Sequence, residues 1–246
     1  LVLAETADRE LADRSVWLLC CFPSAFVLVW GYAEGPFLAA AISAFLAVRR
    51  RAWWWASILV LVASLIRPTG LLLALPMAMD AVTGWRRCTR TEKWGRTCTV
   101  LAAPVGCGAF VTWASWHFDD PLVPLTVHNS FRGGFVDPFT RLVEGTRDLF
   151  GDDTLGDGMH LLPALACLLL GVGILLCWPK RYGVYTLACL GVALCAENLN
   201  SFERYALSAF PIAVSMAVFA GHRALGRSAL ALSSAGLVAL ASLAWV

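Results

Sequence analysis

The sequence predicts an all-α bundle of membrane-spanning helices, and three observations carry that expectation. Of the 246 residues, 59% are hydrophobic and only 15% charged, with a mean hydropathy of +0.70. A soluble domain carries about 25% charged residues, and one globular core cannot hide so large an apolar excess. Apolar stretches of near-helical membrane length follow one another along most of the chain. Lysine and arginine gather in alternate connections between them, the asymmetry by which membrane proteins fix their orientation.

A membrane helix needs roughly 20 apolar residues. The first candidate stretch, 16–31, follows a charged segment, Leu1 to Arg14, that is unlike a leader peptide. The second, 36–50, ends on Arg49-Arg50-Arg51, and the third, 52–66, opens on Trp53-Trp54-Trp55. The fourth, 71–85, begins after Pro68 and ends before a basic connection; 97–116 follows it. A long polar segment separates these from 161–178, 183–198, 205–221 and 228–246. The expectation is about nine spans in one integral membrane domain, 1–246. The stretches at 36–50 and 52–66 are short, and must end in the interface or in protein-lined cavities. A chain opening on Leu1 with a cytoplasmic segment reads as N-terminally truncated.

The connections test the topology independently. One set holds Arg49 to Arg51, then Arg86, Arg87, Arg90, Lys93 and Arg96, then Lys180-Arg181, then Arg223 and Arg227. The other set holds only Arg67, Arg132, Arg141, Arg147 and Arg204. The first set is therefore assigned to the cytoplasm and the second to the outer face. Trp30, Trp53 to Trp55, Trp85, Trp94, Trp116 and Trp178 fall at span ends, as an aromatic belt does.

Several function classes are excluded at this point. A net charge of +2 is too small for nucleic-acid binding. Eight of the nine cysteines lie in apolar segments and Cys88 stands alone in a basic loop, with no CxxC spacing; no disulfide framework, metal site or cofactor is expected. Asp119-Asp120 and Asp152-Asp153 read as solvated loop acids, because no further ligands stand at defined spacing. Asp80, near the cytoplasmic end of an apolar run, must reach the interface, pair with a base or relay protons.

The costly polar residues gather on the outer side. Tyr32-Ala33-Glu34 sits between two apolar runs, where a carboxylate either turns into water or faces a functional cavity. In Arg67-Pro68-Thr69-Gly70, proline disfavours helix at the residue before it. The chain bends there and projects a guanidinium, which matches phosphate bidentately or snorkels to lipid headgroups. Glu203-Arg204-Tyr205 precedes an apolar helix, and its acid and base either offset each other or serve a site. The outer segment 117–160 carries eight acids and three arginines. Asp137-Pro138 reads as an N-cap with proline at the first helical position. Phe139, Leu142, Val143 and Phe150 recur at helical spacing, so 138–150 is expected as an amphipathic interfacial helix. His128, beside Asn129, is a candidate substrate contact.

Together these residues resemble a known family. Phe22-Pro23-Ser24-Ala25-Phe26 with Tyr32-Ala33-Glu34 and Phe37-Leu38-Ala39 is similar to the FPxAFF…YxESLFL stretch of the GPI mannosyltransferase II family and its prokaryotic relatives. Arg67-Pro68-Thr69-Gly70-Leu71 resembles its RPTG element, and Asp120-Pro121-Leu122 its GDPLAF segment, with His128 near a position where histidine or glutamine often follows. Ser201-Phe202-Glu203-Arg204-Tyr205 and Phe210-Pro211 resemble its closing SxxRYxxxxFP element. Gly35 and Asp119 depart from the pattern, standing where the family has serine and glycine.

The resemblance covers about residues 16–215 in order and implies a GT-C type glycosyltransferase that takes mannose from a polyprenyl-phosphate carrier. It implies Arg67 and Arg204 at the donor phosphate, with Tyr205 and Thr69 as hydrogen-bonding support. It implies that Glu34 orients sugar or acceptor, and serves as base only if the preceding loop lacks one, with Tyr32, His128 and Glu203 completing the substrate contacts. The partners implied are the lipid-linked donor, the bilayer and a glycan or glycolipid acceptor, in a prokaryotic plasma membrane or the endoplasmic reticulum. The family's usual base lies in an outer loop that would precede Leu1. A transporter or lipid flippase, and a non-catalytic membrane scaffold, remain the other readings.

Overall fold

The computed structural model describes residues 1–120, 123, 126, 133–151, 157–199, 202–221 and 223–245. These are almost wholly helical. The described residues contain no named strand, only an isolated antiparallel bridge between Phe135 and Ala196.

Short helices α1 (Val2–Thr6) and α2 (Arg9–Cys20) open the chain, Asp8 capping α2 through the Leu11 amide. A 3-10 turn (Ala25–Leu28) leads to α3 (Glu34–Arg49), which runs antiparallel to α4 (Trp53–Ile66). A second 3-10 stretch (Pro68–Leu73) continues into α5 (Ala74–Val82). After the basic connection come the long α6 (Arg90–Phe118) and helix α7 (Pro138–Leu149). The chain continues as α8 (Met159–Cys177), α9 (Lys180–Leu194), α10 (Phe202–Ser208), α11 (Pro211–Phe219) and α12 (Arg223–Trp245).

Small residues let α6 approach α4. Gly95 and Gly106 lie against Trp53 and Leu61, and Thr99 donates to the Trp53 carbonyl at 3.0 Å, an interface type common between apolar helices. The centre of the bundle is aromatic. Phe45 packs on Tyr182, Tyr185 and Phe210 at ring separations of 5.1, 5.4 and 5.5 Å, and the Tyr185 hydroxyl donates to the Ser208 carbonyl at 3.0 Å.

The structure corrects the expectation of nine spans. Among the described residues, α6 and α8 alone are long and apolar enough to cross a membrane, and the pair α10–α11 makes a third if it counts as one span. The reason is local. The stretch 16–31 divides because α2 stops at Cys20, before Pro23, and the chain then turns through Gly31 at φ +53°. The helices α3 and α4 have 16 and 14 residues, so they extend only about 24 and 21 Å against a hydrocarbon core of about 30 Å. Between α10 and α11 the axis bends by 93° just before Pro211, since proline cannot continue the hydrogen-bond ladder.

The bundle consequently has two polar ends. The starts of α3 and α8 and the end of α4 lie at one; the start of α9 and the ends of α3 and α5 lie at the other, which also carries the basic connections. Helix α7 turns an arginine into the bundle and its phenylalanines out of it. Its Arg141 is buried and faces inward to Asp148 at 2.8 Å, Asp157 at 3.1 Å and the Glu197 carbonyl, whereas Phe139 and Phe150 are exposed.

Candidate functional site

The residue before Pro68 takes up extended backbone, with φ −144° and ψ 139° for Arg67, as the proline's ring demands. Gly70 then fixes the turn against α4: a Cβ there would lie 2.5 Å from the Ser64 Cα. Only glycine fits, and the consequence is that the Arg67 side chain turns across the end of α4 toward the start of α3.

There it meets Glu34, the first residue of α3, which is only 2% exposed. Arg67 Nη1 stands 2.5 Å from Glu34 Oε1, and Arg204 Nε, from α10, stands 3.1 Å from the same oxygen. Neither nitrogen has hydrogen-bond alignment with a partner among the described residues, so these are ion pairs with donor capacity remaining. Two guanidiniums against one carboxylate leave a formal surplus of one positive charge. Such a cluster is stable when buried only because the opposite charges compensate their lost hydration.

Aromatic rings fix the guanidinium planes. The Tyr205 ring lies 5.4 Å from the Arg67 Cζ and 5.3 Å from the Arg204 Cζ; Phe37 flanks Arg67 at 5.9 Å and Tyr32 flanks Arg204 at 5.2 Å. These are cation–π distances. The Arg204 side chain is 29% exposed and Tyr32 is exposed, so the cluster is reached from the Tyr32 side. Thr69 Oγ1 is buried and has no hydrogen-bond partner among the described residues.

Five of the residues named from the sequence thus meet in one cluster: Tyr32, Glu34, Arg67, Arg204 and Tyr205. Glu203 does not join it. Its side chain is buried and pairs with His160 Nδ1 at 2.8 Å, tying α10 to the start of α8, while its carbonyl accepts from Ser24 Oγ at 2.8 Å. His128 lies outside the described residues, as do Pro121, Leu122, Asp152 and Asp153. Asp80 is paired, with Arg181 Nη1 at 2.9 Å. Sequence reasoning missed His160 and Arg141 as buried charge partners. The available signal was the same in both, an ionisable side chain beside apolar sequence whose solvation has to be supplied by another charge.

What this arrangement can do is bind an anion. The two guanidiniums and the Tyr205 ring form a preorganised cationic pair suited to a phosphate, with a carboxylate beside them that an incoming anion displaces from its partners. Among the described residues no group of histidine, cysteine and acidic side chains is arranged to hold a metal. Comparison with family models, curated proteins and solved structures gives no match for the chain.

Proposed function

We propose that this chain is an integral membrane glycosyltransferase of the GT-C type, which moves a mannose-class sugar from a polyprenyl-phosphate donor to a hydroxyl acceptor on the outer or luminal side. The observation that carries the reading is the convergence of Arg67 and Arg204 on Glu34. These are the residues that the family resemblance assigns to the donor phosphate and to the acceptor. The apolar α6 and α8 are consistent with a membrane setting.

In the proposed reaction the donor phosphate takes the place of the Glu34 carboxylate at Arg204, the more exposed of the two guanidiniums. Glu34, released from one partner, accepts the hydrogen of the acceptor hydroxyl. The acceptor oxygen bonds to the sugar anomeric carbon as the bond from that carbon to the phosphate oxygen breaks. The polyprenyl phosphate leaves with its negative charge held by Arg67 and Arg204. Electrostatic support of this kind is worth about 10²–10³ in rate.

One feature favours transport or lipid flipping as a second reading. Short helices leave polar clusters at both ends of the bundle, with a buried apolar core that includes the Phe45, Tyr185 and Phe210 rings between them. Wild-type protein reconstituted in vesicles with a polyprenyl-phosphate donor carrying labelled mannose distinguishes the two. The enzyme reading expects label to leave the polyprenyl carrier and appear on an acceptor. Movement of intact labelled donor between leaflets without bond cleavage would replace it with the flippase reading.

A further inference from the structure

The opposite end of the bundle holds a second charged cavity that the proposed reaction does not use. It has a volume of about 340 Å³ and is bordered by Glu5, Arg49, Arg51, Asp80, Arg96 and Arg181. Helix α3 runs from Glu34 to Arg49, so the two charged sites stand roughly 22 Å apart along it.

The cavity already cradles one anionic group from the chain itself. The Glu5 carboxylate accepts from Arg181 Nη2 at 2.6 Å and the Tyr182 hydroxyl at 2.8 Å, and faces Arg49 Nε at 3.3 Å. Arg96 is part of the wall: its Nη1 donates to the Ala81 carbonyl at 2.9 Å, its Nη2 pairs with Glu92 at 2.7 Å, and its guanidinium lies over Trp53. With Glu92 counted against Arg96, four guanidiniums face three carboxylates, a surplus of one positive charge. Arg51 carries that surplus most openly. It is exposed, held at φ +57°, and makes no ion pair among the described residues. Arg49 has one weak partner and a side chain nearly half exposed.

The neighbours of Arg51 indicate where the cavity opens. Trp54 and Trp55, three and four residues on, are 54% and 67% exposed. Exposed tryptophans beside a basic turn mark the headgroup level of a bilayer, and basic pockets between helices on that side suit anionic phospholipid heads.

We propose that this cavity binds the phosphate of an anionic phospholipid from the membrane leaflet that faces the basic connections, with Arg51 and Arg49 as its ligands. The site is independent of the glycosyltransferase reading, and lipid binding is measurable in protein with no transfer activity. The test uses the whole chain, delipidated in a mild detergent and titrated with phosphatidylglycerol or phosphatidylcholine of the same acyl chains, with bound lipid counted by native mass spectrometry. Three variants accompany it: Arg51→Gly, Arg49→Gln, and a control with both Arg86→Gln and Arg87→Gln. Glycine suits the left-handed backbone at position 51, so a loss in Arg51→Gly is not a folding defect.

The wild type should retain phosphatidylglycerol roughly tenfold better than phosphatidylcholine, and each cavity variant should lose most of that preference. The control should keep it despite losing two charges. Equal retention of the two lipids by the wild type, or an unchanged preference in Arg51→Gly, would overturn the proposal. Equal lipid retention together with thermal stabilisation by inorganic phosphate would assign the cavity to a soluble phosphate and overturn the lipid.

Discussion

Glu34 is the residue on which the Arg67–Arg204 cluster depends, because one carboxylate oxygen compensates two guanidiniums. Replacing it by glutamine leaves the buried Arg67 uncompensated beside the partly exposed Arg204, and breaking a buried pair costs up to about 3–5 kcal/mol. Glu34→Gln should therefore lower the thermal midpoint in detergent clearly, while Arg204→Gln, which leaves the Glu34–Arg67 pair in place, should lower it little. Equal midpoints for Glu34→Gln and wild type would mean that the cluster carries no structural charge balance. From the amino-acid sequence, Glu34, Arg67 and Arg204 each stood out as a costly polar group near apolar sequence. That they share one oxygen was not readable, since it depends on the backbone turn at Arg67 and on the bend that aims α10. Glu203 shows the same limit. Beside Arg204 in sequence, it turns instead to His160, because adjacent residues on a helix point about 100° apart.

At the scale of the element, the Arg67 to Leu73 segment is the one most tightly specified. Pro68 imposes the extended residue before it, and Gly70 admits the backbone of α4. Gly70→Ala drives a methyl into the Ser64 backbone, and overpacking of this kind costs about 1–3 kcal/mol. Loss of stability with disturbed geometry at Arg67 is expected; an unchanged midpoint would show that the turn gives way to the methyl without cost. Helix α7 has a pH-dependent start. Asp137 is held below the usual carboxylate range, first by a hydrogen bond with the Thr140 side chain and then by the Thr140 and Phe139 amides. A depressed native pKa gives stability that is complete above the ordinary aspartate range near 3.9 and is lost as pH falls through the lower native value. Amide exchange over 139–149, corrected for its intrinsic rate, should rise more on acidification of the wild type than of Asp137→Asn, which caps without titrating while the Arg141 pairs with Asp148 and Asp157 respond alike in both. The sequence made this cap readable because both its residues are adjacent. It did not make span lengths readable, since apolar composition continues across Pro23 and across Ala209–Phe210, where the helices break.

For the whole molecule, the proposed reaction needs two chemically different ends. Cys88 lies in the basic connection and Thr146 is exposed on α7 at the other end. In sealed cells or vesicles, a membrane-impermeant maleimide applied from outside should label Thr146→Cys at once, and should label Cys88 only after permeabilisation. The reverse order would invert the topology, and with it the side on which the Glu34 cluster works.

Arg67 and Arg204 are proposed to hold the donor phosphate. Transfer of labelled mannose from a polyprenyl-phosphate donor by wild type, Arg204→Lys and Arg204→Gln, each checked to fold by its thermal midpoint, tests this. A loss of about 10²–10³ in kcat/KM is expected for the glutamine variant, with partial recovery for lysine, which restores charge without the planar fork. A folded Arg204→Gln protein that transfers at close to the wild-type rate would contradict it.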